Sequence, residues 1–348
     1  EAIDLNAMVP TPLKSVDLTI GTLIDASQVS GGGTWVMPTV VGDRVFVNDG
    51  ETISCFDRFT LSERWRWTPP GDVMERRQTQ AMVGRRARNL EDSSSVAVAG
   101  DVVVATTGLA FQGGREGDPR THALDRWTGR HLWSVSVEHM DARLEYGVVS
   151  GPALIHEGTV VLSVRKFVQS RRLNGTFLVG LDLHTGAPRW IRLIGSSGAL
   201  PHRGSGRIAD AGVIHRGIVY RSDESGVIAA VEATTGRPVW VRRSRSLALY
   251  SPDSTDPWSS QVPLVRDESL IVIAPDREEV LRLDLATGDV TRRMPAHRLG
   301  NPRYLLELGD RLIAVSSRLV TSCPIDGLSP DAPVSIVQQF DDQRDGVV

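Results

Sequence analysis

The side chains that could do chemistry in this 348-residue chain are two cysteines, eight histidines and 42 acids. Their spacing assembles no reaction centre. Cys55 and Cys323 lie near opposite ends, so they make neither a neighbouring thiol pair nor a disulfide framework. A Gly-x-Ser-x-Gly elbow, a phosphate-binding Walker loop and a His-Glu-x-x-His zinc pair are all missing from the sequence. His156 and His215 recur beside one turn of a repeat, and His122, His131 and His184 lie in or near a repeated motif, which favours turn and packing roles over metal. No acid stands at calcium-ligand spacing.

Two segments have recognition chemistry instead. Residues 195–207 combine Gly and Ser with Arg203 and Arg207, and backbone amides beside guanidinium groups can hold an anion. The plainer reading is a flexible link. Residues 242–261 carry Arg242, Arg243, Arg245, Tyr250 and Trp258, the side-chain types enriched where proteins bind one another. Trp258 is the leading candidate contact, against the plainer reading that it packs beneath its own loop. Five arginines within 71–95 are offset by four acids, so that stretch reads as a solvated surface segment.

The elements that position these segments come from a repeat. Four segments share a small residue, an apolar residue, an acid, two variable positions, Thr, usually Gly, and a Trp eight residues after the acid. The acid and Trp are Asp57 and Trp65, Asp125 and Trp133, Asp182 and Trp190, and Glu232 and Trp240. A fifth copy has Asp284, Thr287 and Gly288 but Arg292 in place of Trp, and a sixth around Cys323 to Asp326 is degenerate. Successive acids are 68, 57, 50 and 52 residues apart.

The physical content of the motif is structural. A short acid accepts from backbone amides two or three residues on and closes a turn. Gly takes the positive φ that ends the turn, and a buried Trp ring removes a large apolar area from water. By this alignment both cysteines take the small-residue position. Before each motif run two short apolar strands joined by a turn, as in 38–41, 42–43 and 44–47. Asn174-Gly175 matches a glycosylation acceptor, and also the dipeptide of a two-residue hairpin turn; the turn is the expectation. Four strands every 40–60 residues, repeated about six times, predict an all-β protein: a β-propeller of four-stranded antiparallel blades, six of them recognisable, with a seventh as the alternative. A single propeller domain is expected over 37–348. Residues 1–36 are left over, with 16–24 as a candidate ring-closing strand or part of a seventh blade.

The Leu-Asp-x-x-Thr-Gly-x-x-x-Trp segments resemble the tryptophan-docking repeats of the PQQ-like propellers, a group that includes quinoprotein dehydrogenases and the propeller lipoprotein of the outer-membrane assembly machine. The resemblance covers about residues 37–340 and is nearer the lipoprotein. In the dehydrogenases the family pattern implies quinone and calcium at the ring centre, an Asp base, often adjacent cysteines, and eight blades. This sequence departs from that pattern in length and in its cysteines, so no cofactor is expected. Location in the periplasm or outside the cell is implied by the resemblance alone.

Composition narrows the functional classes. The net charge is −3, which argues against a general polyanion or nucleic-acid binder. Only Lys14 and Lys166 are lysines among 39 basic residues, a bias that reads as genomic. No apolar run is long enough to span a bilayer. The start at Glu1 fits a processed chain or a module from a longer polypeptide. The expectation is a non-enzymatic scaffold, favoured as a monomer, that presents loops to a protein partner. The alternative is an enzyme or small-ligand binder with its site at the propeller axis.

Overall fold

The computed structural model describes residues 38–340, apart from 51, 71–94, 108–119, 146, 169–172, 199–211, 224, 246–261 and 317. Blade one contains β1 (Thr39–Val41), β2 (Arg44–Asn48), β3 (Ile53–Asp57) and β4 (Glu63–Trp67). Blade two contains β5 (Val96–Ala99), β6 (Val102–Thr107), β7 (Arg120–Asp125) and β8 (His131–Ser136). Blade three adds a short β9 (Val148–Val149) to β10 (Leu154–His156), β11 (Thr159–Val168), β12 (Leu173–Asp182) and β13 (Pro188–Gly198).

Blade four contains β14 (Gly212–His215), β15 (Ile218–Asp223), β16 (Val227–Glu232) and β17 (Pro238–Arg243). Blade five contains β18 (Leu264–Arg266), β19 (Ser269–Ile273), β20 (Glu279–Asp284) and β21 (Val290–Pro295). Blade six contains β22 (Tyr304–Leu308), β23 (Arg311–Val315), β24 (Leu319–Pro324) and β25 (Ser335–Gln339). Every blade is an antiparallel meander, and the first strands of successive blades adjoin in chain order from β1 to β22.

The strand chemistry follows position. The middle strands lie between neighbouring blades and bury both faces, so β6 reads Val-Val-Val-Ala-Thr-Thr and β3 is buried throughout. The outer strands meet water and alternate, as in Glu-Arg-Trp-Arg-Trp of β4, where Trp65 is the buried residue. Among the described residues the core is divided into five apolar clusters, one at each junction from blades one and two to blades five and six.

Three expectations are corrected by the register. Asn174 and Gly175 are not a turn. They pair with Phe167 and Lys166 inside a hairpin whose ladder runs on to Val168 and Leu173. Gly175 does not have positive φ, whereas the expected tight turn needs it. The same extension carries β13 through Gly198, so the start of the supposed 195–207 link is strand.

Cys323 does not take the small-residue position. Pro324 pairs with Arg311 as Asp57 pairs with Arg44, so Cys323 matches Phe56 and Ser322 matches Cys55. In the first five blades the acid's own amide donates across the turn, as Asp57 does to the Ser62 carbonyl at 2.8 Å. Proline has no N–H for that bond. Blade six therefore takes a longer connection from β24 to β25.

Candidate interaction surface

The motif turns lie on the face of the ring that also carries the first hairpin of each blade. In each blade the residue after the acid position donates its amide back to that hairpin, as Arg126 does to the Asp101 carbonyl at 2.8 Å. Asp57 Oδ1 accepts from the Phe59 and Thr60 amides at 3.0 and 2.8 Å and from the Thr60 hydroxyl at 3.0 Å. Asp125 and Asp182 make the same three bonds with the residues that follow them. Asp284 accepts from the Ala286 and Thr287 amides. Glu232 is one methylene longer, and its carboxylate reaches the Thr235 hydroxyl and Arg237.

These bonds stabilise the ionised acids. The Arg64 guanidinium, followed by the Thr60 amide and hydroxyl, holds the Asp57 carboxyl far below the usual range. Burial pushes the Asp182 carboxyl up, but bonds from Arg189, Thr185 and the His184 amide outweigh it and hold it at about 2. The Thr128 hydroxyl and amide lower Asp125. Arg237, then Thr235, lowers Glu232. The repeated acids are thus occupied by turn closure.

Each motif Trp reaches the turn of the following blade. The indole N–H groups of Trp65, Trp133, Trp190 and Trp240 donate to the carbonyls of Arg126, Leu183, Ala233 and Leu285 at 3.0, 2.8, 3.1 and 2.8 Å. Their rings lie against Gly129, Gly186, Gly236 and Gly288, all at positive φ. Where Arg292 replaces Trp, ion pairs join blade five to blade six beside their shared apolar cluster. Arg282 Nη1 stands 3.0 Å from Asp326, and Arg266 stands 2.5 Å from Glu307 and 3.4 Å from Asp326.

The two variable positions of the turn hold residues that sequence reasoning passed over. Phe59 and Trp127 occupy the same place in consecutive blades and are 75% and 47% exposed. Each follows an arginine. Arg58 lies over Phe59, with 5.8 Å between guanidinium carbon and ring centre. The guanidinium carbons of Arg44 and Arg126 stand 4.6 and 4.8 Å from the centre of the Trp127 ring. The Trp127 indole donates to Asp101 Oδ1 at 2.8 Å, which fixes the ring's orientation. Arg58 donates to the Gly42 carbonyl and Arg126 to the Val41 carbonyl, so the two aromatic turns flank one hairpin of blade one. Exposed aromatic rings held by arginines have the composition of a binding hot spot.

The other candidate residues are placed less evenly. Arg242 Nη1 donates to the Gly288 carbonyl at 3.4 Å, which ties blade four to the turn of blade five. Arg192 does the same for Gly236. Arg243 and Arg245 are exposed. Tyr250, Trp258, Arg203 and Arg207 lie outside the described residues.

The groups with reactive side chains are dispersed. Cys55 and Cys323 are free, fully buried and in different clusters. Burial pushes both thiols up, away from the reactive thiolate. His122 is buried with Nε2 3.0 Å from the Thr107 hydroxyl, and His131 stacks on Trp67 with ring centres 5.3 Å apart. Among the described residues, no three His, Cys, Asp or Glu side chains converge as a metal-ligand set.

Six antiparallel blades among the described residues, joined by motif turns and Trp contacts, define a PQQ-like β-propeller. The profile of the family described as outer membrane protein assembly factor BamB matches residues 13–293, and the chain belongs to that family. Among solved structures it is similar to BamB from Moraxella catarrhalis, at 18% identity and a TM-score of 0.55, covering 87% of this chain and 76% of that one. It is also similar to the quinohemoprotein alcohol dehydrogenase from Comamonas testosteroni, at 15% identity and a TM-score of 0.52, covering 77% of this chain and 44% of that one. A europium-containing methanol dehydrogenase matches at 17% identity and a TM-score of 0.50, covering 76% of this chain and 51% of that one. At these identities the likeness is one of fold, and the chain spans about half or less of the two dehydrogenases. No curated protein matches the chain.

Proposed function

We propose that the protein is a non-catalytic propeller scaffold that binds a protein partner outside the cytoplasm. The observation that carries this reading is the pair Phe59 and Trp127, exposed at equal positions of neighbouring turns and bracketed by Arg44, Arg58 and Arg126. The repeated acids around them are occupied in turns and the arginines brace the rings, which leaves the exposed aromatic rings to face a partner. A rigid site of this kind loses little conformational entropy on binding. The family description, an outer-membrane assembly factor, supports both a protein partner and an extracytoplasmic place. Among the described residues no helix is long and apolar enough to cross a membrane.

Arg243, Arg245, Tyr250 and Trp258 form a second proposed contact region, with Arg203 and Arg207 as a third. Residues 37–348 are proposed to act as one domain. Photo-crosslinking from position 59 tests the leading surface against the others.

A further inference from the structure

The last strand of each blade is the outer edge of its sheet. In the first five blades the residues before and after the Trp position point to the opposite side of this strand from the Trp. They are Arg64 and Arg66, Leu132 and Ser134, Arg189 and Ile191, Val239 and Val241, and Thr291 and Arg293. Arg64, Arg66, Arg189 and Arg293 pair with Asp57, Glu63, Asp182 and Glu279. Charge on an edge strand discourages a further strand from pairing with it. Of these five pairs, Val239 and Val241 alone are both β-branched and apolar, and they are 40% and 49% exposed. Such side chains suit a surface on which another strand packs.

The register of β17 shows which of its backbone groups are open. The Ser244 amide donates to the Gly226 carbonyl at 2.7 Å. From there the ladder pairs Arg243 with Val227, Arg242 with Ile228, Val241 with Ala229 and Trp240 with Ala230. Bonded and non-bonded pairs alternate along an antiparallel ladder. Trp240, Arg242 and Ser244 therefore turn their N–H and C=O groups toward β16, and Val241 and Arg243 turn theirs outward. Among the described residues β17 pairs with β16 alone. Charge then limits what fits this edge. Arg243 is exposed and makes no ion pair among the described residues, whereas Arg237 at the other end is held by Glu232. The strand itself reads Pro-Val-Trp-Val-Arg-Arg and has no acid, so a second copy would bring cations to a cation.

We propose that an extended segment of a protein partner adds to blade four as a further strand beside β17. It places apolar side chains against Val239 and Val241 and an acid at Arg243. This inference rests on the reading that the protein binds another protein, and it gives the Arg243 region a mode of binding. Main-chain bonds to Val241 and Arg243 supply affinity, and the valines and the guanidinium select the sequence that is bound. The contact lies on an outer edge strand, apart from the turn face of Phe59 and Trp127.

Photo-reactive benzoyl-phenylalanine at position 239 of the full chain, in cells that make it, tests the assignment. A discrete adduct is expected, and Val241→Pro should lower its yield at least about fivefold by removing one outward N–H and blocking the added strand. Proline is tolerated there because the Val241 N–H takes no part in the blade's own ladder. Arg243→Glu should lower the yield as well, and Val241→Thr, which keeps the N–H and the branched shape, should retain it. Should Val241→Pro lose its cooperative unfolding transition, the α-hydroxy analogue of valine at 241 removes the N–H alone and gives the same readout. An adduct indifferent to loss of that N–H, an adduct with the mass of two copies of this chain, or no adduct from position 239 overturns the added strand. An adduct from position 59 that persists beside any of these leaves the turn-face reading standing, whereas silence at both positions withdraws the protein-partner reading too.

Discussion

A Cβ added to Gly186 would stand 2.6 Å from the Trp133 ring, although the two residues belong to different blades. The turn of one blade is the floor for the indole of the blade before it. Gly186 also has φ of 72°, so an L side chain there meets both a steric clash and an unfavourable backbone. Gly186→Ala is expected to destabilise the protein by about 2–4 kcal/mol, from overpacking together with the left-handed backbone. Trp133→Ala should lose about 3–5 kcal/mol through the cavity it leaves. Denaturant unfolding checks both. A Gly186→Ala variant as stable as the parent would show that the indole does not rest on the turn.

Leu61 offers the opposite case. It takes the turn-ending position of blade one with φ of 57°, which a side chain resists. Leu61→Gly is expected to be neutral to stabilising by about 1 kcal/mol, after the extra freedom of glycine in the unfolded chain is subtracted. A thermal midpoint that does not fall, beside a large fall for Gly186→Ala, would verify the contrast.

The strands and motif turns were legible because their residue types recur at fixed spacing: Asp closes the turn, Gly takes positive φ, and Trp follows at a constant distance. What escaped depends on pairing between distant segments. Asn174-Gly175 has turn chemistry, yet a hairpin that extends to Val168 and Leu173 absorbs it. The register of Cys323 is hidden in the sequence because Pro324, not an acid, fills the acid's place. Arg242 has the chemistry of a partner contact, but the Gly288 carbonyl it bonds lies 46 residues away. Phe59 and Trp127 sit at positions the repeat leaves variable, so only their shared exposure beside arginines reveals them. An equal turn position in consecutive repeats was the available signal.

Stability should fall in acid. Asp182 is held at about 2 against 3.8 for the free side chain, and Asp57, Asp125 and Glu232 are lowered in the same direction. A depressed carboxyl contributes stability that is complete above its unfolded value and lost as pH falls through its folded value. For Asp182 the loss therefore runs from about pH 4 down to about pH 2. Asp182→Asn should lower the thermal midpoint at neutral pH and flatten its decline across that window.

The ionic link between blades five and six should respond to salt. Asp326 is itself largely exposed, whereas Arg282 and Arg266 are mostly covered. Asp326→Asn is expected to lower stability by no more than about 1 kcal/mol, and added salt should narrow its difference from the parent. Hydrogen exchange should rise in β20 and β24 before other strands. A salt-independent difference would assign the effect to packing.

The central claim is that the turn face around Phe59 and Trp127 binds a protein partner. The most direct measurement places a photo-reactive benzoyl-phenylalanine at position 59 in cells that make the protein, with the same group at exposed Leu193 and Arg243 for comparison. The account predicts one discrete adduct from position 59, lost when Trp127→Ala is added to a chain that remains folded. No adduct from position 59, or an equal one from position 193, would contradict it; an adduct confined to position 243 would move the interface to the other proposed region.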